Sequence, residues 1–115
     1  MGLYTFGKEE RIRSRSDFLR ISKEGTKYGT DHFRVALCPN KLPSRRLGIT
    51  VGKNIGTAVE RNRVKRRIRE CFRLNKEIFP DSTDVVITAK KGAAGLNFWQ
   101  ITEELKGLLR GRSLP

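Results

Sequence analysis

Between Arg61 and Arg73 the chain sets seven cations, Arg61, Arg63, Lys65, Arg66, Arg67, Arg69 and Arg73, against a single acid, Glu70. Guanidinium forks match phosphate oxygens bidentately and stay charged at any physiological pH. Asn62, inside the run, adds a neutral donor and acceptor for a base edge, a ribose hydroxyl or a hydrated metal. Thr57 with Glu60 three residues on is a capping box, so a helix is expected to carry these groups. At about 100° per residue, Asn62, Arg66, Arg69 and Arg73 share one face, beside an apolar stripe of Val64, Ile68, Cys71 and Phe72. Like charges along a helix cost a few tenths of a kcal/mol per pair, which a polyanionic partner would offset. Lys53, in the glycine-bracketed loop Gly52–Gly56, stands just ahead of that helix. Phosphate binding is the chemistry these residues suit.

Hydrolysis by the protein itself has less support. A two-metal nuclease needs clustered carboxylates, and an acid–base nuclease needs a partnered histidine. Glu60, Glu70 and Glu77 point along diverging faces, Asp81 and Asp84 lie past the helix end, and His32 has no evident triad partner. Cys38 and Cys71 read as buried free thiols, and one histidine without a paired cysteine motif gives no zinc site. No catalytic or metal-ligating residue is therefore assigned.

Composition widens the argument from one helix to a surface. Twenty-five Lys and Arg against twelve Asp and Glu leave +13 over 115 residues, spread through the chain, as on a nucleic-acid-binding surface. One domain, residues 1–115, is expected at this length. The 37% apolar content is periodic and argues against disorder. No run approaches the roughly eighteen apolar residues of a membrane span, and no signal core opens the chain, so a cytoplasmic protein without a membrane partner is expected.

Around the basic helix the other elements follow in order. Residues 1–15 read as a flexible basic arm able to lie along a phosphate backbone. Ser16 caps a short helix, Asp17 to about Glu24, closed by Gly25. Strands are expected around His32–Cys38 and Arg46–Val51, paired as an antiparallel hairpin. Asp84–Ala89, with Val85-Val86-Ile87, reads as a central strand. Asn97 with Gln100 opens the last helix, which Gly111 closes before a short tail, 112–115. The order αββαβα makes an α+β fold, a two-layer α/β sandwich with a small mixed sheet.

Lys53, Gly56, Ala58 and the Arg61-Asn62-Arg63 run with Lys65, Arg66, Ile68 and Arg69 resemble the signature of the bacterial ribonuclease P protein subunit. Arg11, Asp17-Phe18, Gly25, Phe33, Arg46-Leu47-Gly48 and Asp84-Val85-Val86-Ile87 extend the resemblance over nearly the whole chain. It implies a fold similar to the second domain of a small-subunit ribosomal protein, with a left-handed βαβ crossover against the usual preference. It also implies a role in Mg²⁺-dependent removal of the 5′ leader from precursor tRNA, the chemistry belonging to a catalytic RNA that holds the metal. By the same resemblance Lys53, Arg61, Asn62, Arg63, Lys65, Arg66 and Arg69 would face that RNA, and Arg73 continues their ladder. The leader would lie in a cleft between the first helix and the sheet, at Phe18, Ser22 and Ala36. The family often has a second aromatic where Ser22 stands, tyrosine in some members where Ala36 stands, and a second base where Asn54 stands. The cleft here is therefore expected to work more by shape and charge than by stacking. No obligate protein partner is implied. On chemistry alone, a general RNA-binding or ribosomal protein of similar fold is the competing reading. A sequence-specific DNA reader is weaker, because no helix-turn-helix spacing appears.

Overall fold

The basic run folds as its caps dictate. In the computed structural model, which describes residues 7–110, the Thr57 hydroxyl accepts the Glu60 N–H and the Glu60 carboxylate accepts the Thr57 N–H, at 3.2 and 2.8 Å. Helix α2, Ala58–Leu74, follows. Gly56 makes room for this box, since a Cβ there would lie 2.5 Å from Glu60 Oε1. Val64, Ile68, Cys71 and Phe72 are all buried, so the expected stripe is the helix's core face. Helix α3, Phe98–Leu109, starts from the expected reciprocal pair: Asn97 and Gln100 each take the other's N–H at 2.9 Å. Its residues Ile101, Leu105, Leu108 and Leu109 join the same core.

Helix α1, Arg15–Glu24, begins earlier than Ser16 suggested, because Ser14 is the N-cap and its hydroxyl accepts the Ser16 and Asp17 N–H groups. Four strands form one sheet: β1 Thr26–Gly29, β2 Phe33–Pro39, β3 Arg46–Thr50 and β4 Thr83–Ala89. β1 was not foreseen, so the order is αβββαβα. The spatial order is β1-β2-β4-β3, and this corrects the expected hairpin. β2 and β3 do not pair with each other. β4 lies between them, antiparallel to β2 and parallel to β3. The apolar run Val85-Val86-Ile87 is the reason, since a strand buried on both faces gains most at the centre of a sheet.

Register assigns the two faces. Val35, Ile87 and Ile49 align across three strands, as do Leu37, Val85 and Leu47; these rows meet α2 and α3. On the other face lie Lys27, Ala36, Val86 and Gly48 in one row, and Arg34, Thr88 and Thr50 in the next. α1 covers only part of that face, through a small cluster of Ile12, Ile21 and Cys38 with Phe18, Ala36 and Val86. The uncovered remainder is the floor of a cleft.

The expected free arm is corrected where it is described. Residues 1–6 lie outside the described residues, as does the tail 112–115 with Gly111. From Gly7 onward the segment is pinned. Lys8–Glu10 forms a 3₁₀ turn, Glu10 pairs with Lys76 at 2.5 Å, and the Ile12 N–H donates to the Leu47 carbonyl at 3.0 Å. Ile12 is buried, which is what holds the segment against the edge of β3.

Candidate nucleic-acid interface

α2 presents its cations as a crest with a groove on either side. Asn62, Arg66 and Arg69 are exposed, while Arg61, Arg63 and Lys65 are half-buried. Arg63 carries an enclosed Nε with no hydrogen-bond partner among the described residues. Lys53 is exposed in the 3₁₀ turn Lys53–Ile55, which buried Ile55 anchors to the core. Two members of the basic run behave differently. Arg73, expected on the ladder, turns its fork onto Glu70, with bonds of 2.9 and 2.8 Å. That fork holds the Glu70 carboxyl below its ordinary range. Arg67 donates from Nη1 to the Leu96 carbonyl at 2.5 Å and so tethers the start of α3 to α2.

On one side of the crest, Lys65 and Arg69 meet Arg11 and Arg13 of the pinned N-terminal segment around a groove of about 240 Å³. Phe18 lines that groove and also the larger cleft of about 450 Å³ between α1 and the sheet. Its ring packs directly over Gly48: a Cβ at that position would lie 2.8 Å from Phe18 Cε1 and Cζ. Phe18 is thus half-buried, one part packing and one part cleft wall. Ser22 and Ala36 line the same cleft, as expected. Sequence reasoning missed Lys27, Arg34, Thr50 and Thr88 there, because sharing a face depended on β1 and on the central place of β4. Cations and hydroxyls therefore surround the Phe18 ring.

Two polar clusters have structural work. Asp84 is fully buried and accepts the Arg46 fork at 2.7 and 2.7 Å, Arg20 Nη2 at 2.6 Å and Asn40 Nδ2 at 2.9 Å. Burial pushes its carboxyl up, but bonds from Arg46, Asn40 and Arg20 outweigh that and hold it below its ordinary value. His32 does have a carboxylate partner, Glu104 of α3, at 2.8 Å from Nδ1, and the same carboxylate takes the His32 N–H and the Thr30 hydroxyl. These bonds tie the β1–β2 turn to α3. Among the described residues no group of three His, Cys, Asp or Glu could hold a metal ion. No helix among them is long and apolar enough to cross a membrane.

Fold and charge together define a class: a small, strongly basic α+β protein with an arginine-crested helix beside an open cleft. The ribonuclease P family model matches residues 6–112. A ribonuclease P protein component of Desulforapulum autotrophicum is 42% identical, covering 96% of this chain and 94% of its own length. That of Syntrophus aciditrophicus is 47% identical, covering 91% and 88%. Among solved structures, the RNase P protein of Thermotoga maritima superposes with a TM-score of 0.82 at 38% identity, covering 90% of this chain and 98% of that one. The Staphylococcus aureus RNase P protein gives 0.81 at 37% identity, covering 88% and 93%. The chain belongs to the ribonuclease P protein family.

Proposed function

We propose that this chain is the protein subunit of a ribonuclease P ribonucleoprotein, acting in the endonucleolytic removal of the 5′ leader from precursor tRNA. Its α2 crest, with Lys53, Arg61, Asn62, Arg63, Lys65, Arg66 and Arg69, grips the phosphates of the catalytic RNA. Arg73 contributes less, because Glu70 already occupies its fork. The leader lies in the cleft of Phe18, Ser22 and Ala36, with Lys27 and Arg34 on its phosphates and the Phe18 ring against a base. The chemistry belongs to the RNA subunit, and Mg²⁺ is held mainly by that RNA and the substrate. The protein's contribution is positional: it binds two polyanions at once and lowers the repulsion between them.

The observation that carries this reading is the place of Phe18, which walls both the crest-side groove and the leader cleft. On this reading one ring stands between the two nucleic-acid tracks. Reconstitution tests it. The purified protein is mixed with a bacterial ribonuclease P RNA at low magnesium, and cleavage of a precursor tRNA is followed. Cleavage at the mature 5′ end that needs both components is the expected result. RNA binding without stimulation, also with the cognate RNA, would indicate a general RNA-binding protein instead. Cleavage by nuclease-free protein alone would overturn the assignment of chemistry to RNA.

A further inference from the structure

The flank of α2 away from Phe18 carries a second aromatic feature that the proposed function leaves unused. Phe98 and Leu74 form the apolar part of a groove of about 500 Å³ between α2 and α3, bordered by Arg66, Arg67 and Glu70. Beside it stands Trp99, the protein's one tryptophan, 72% exposed. Its ring centroid is 5.3 Å from that of Phe98, with the planes at 74°, so the two rings meet edge to face. An indole left in water forgoes the largest apolar burial any side chain offers. A lone exposed apolar residue needs no explanation. This one adjoins a half-open apolar groove.

Its position is also fixed. Trp99 sits in the first turn of α3, inside the Asn97–Gln100 capping box, and Arg67 holds the nearby Leu96 carbonyl. The backbone that carries the indole is therefore tied to α2, and the indole itself rests edge to face on Phe98. Charge then selects the occupant. Glu70 is the groove's one acid, and the Arg73 fork already matches it. Arg66 and Arg67 leave the rim positive, and Arg66 belongs to the α2 crest as well.

We propose that Trp99, with the groove of Phe98 and Leu74, seats an unstacked base of the catalytic RNA whose flanking phosphate is held by Arg66. This rests on reading the chain as a ribonuclease P protein subunit. A base offers a flat π-face to the indole whatever its identity, and its phosphate suits the arginine rim. The crest would then be gripped from both flanks, with the leader beside Phe18 and a base of the catalytic RNA beside Trp99.

The single tryptophan is its own reporter. The full chain is titrated with a bacterial ribonuclease P RNA, and Trp99 emission and acrylamide quenching are read before and after precursor tRNA is added. The expected result is loss of emission and of acrylamide access on adding the catalytic RNA, with no further change on adding substrate. Trp99→Ala should weaken that complex by about 5- to 150-fold with an unchanged salt slope, the range of a lost stacked base. Trp99→Phe should restore most of the affinity. Trp99 still open to acrylamide in the saturated complex, or wild-type affinity in Trp99→Ala, would overturn the proposal and leave the subunit reading standing. A change that comes only with precursor tRNA would also overturn it, by moving the seat to the substrate. No RNA binding by the wild-type protein would overturn both readings.

Discussion

Removing the Asp84 carboxylate should cost the fold about 3 kcal/mol. The carboxylate is fully buried and takes four hydrogen bonds, from the Arg46 fork, Arg20 and Asn40. Deleting one member of a buried ion pair typically costs about 3–5 kcal/mol, because the partner charge is stranded. Here the guanidinium side chains keep some water, 32% exposed for Arg20 and 18% for Arg46, so Asp84→Ala belongs at the lower end. In a domain of this size that is a fall of about 12 °C in Tm. Urea unfolding followed by circular dichroism measures it, and Asp84→Asn, which keeps the shape, separates charge from packing. The pH dependence supplies an independent check. A carboxyl whose folded pKa is depressed stabilises the fold above its ordinary value, about 3.9, and that contribution is lost as pH falls through the lower folded value. Variant and wild type should therefore differ at pH 7 and converge in acid. A loss under about 1 kcal/mol at pH 7, or a difference that persists undiminished in acid, would refute the reasoning: the bonds would then only offset the carboxylate's own desolvation.

Two further predictions concern the interface. Arg66→Ala and Arg69→Ala should each lower the salt dependence of RNA binding by about one unit, whereas Arg67→Ala, which loses the bond to the Leu96 carbonyl, should mainly lower thermal stability; equal slopes in all three variants and wild type would remove the crest from the interface. Gly48→Ala places a methyl 2.8 Å from the Phe18 ring edge and should displace that ring without unfolding the sheet; filter binding should show weaker precursor tRNA binding in the holoenzyme and unchanged mature tRNA binding, and equal losses for both would make Phe18 a packing residue only.

What could be read from the sequence was what is local. Both capping boxes, at Thr57 and Asn97, link residues three apart, and the α2 stripe of Val64, Ile68, Cys71 and Phe72 follows one helical period, so each needed no knowledge of the rest of the fold. The strand pairing was not local. Two successive strands with alternating patterns suggest a hairpin, yet the better use of Val85-Val86-Ile87 is to separate them. β1 escaped notice because Thr26–Gly29 is four residues long and mostly exposed, with no apolar alternation. His32 finds Glu104 72 residues away, and Arg20 finds Asp84 64 away. Nothing in composition marks such pairs. In the candidate site, the crest residues were legible because, Lys53 apart, one helix carries them all. Lys27, Arg34, Thr50 and Thr88 were not, since four strands bring them together.

The central place of β4 also sets when this protein can become itself during synthesis. β2 and β3 leave the ribosome before β4 and share no ladder of their own. Until Thr83–Ala89 emerges to bridge them, only the β1–β2 pair of the sheet can form, and the core stripe of α2 lacks the central strand it docks on. Pairings this distant close slowly, because loop entropy must be overcome before any contact repays it. The most cationic helix is thus made before the sheet that docks its core stripe is complete.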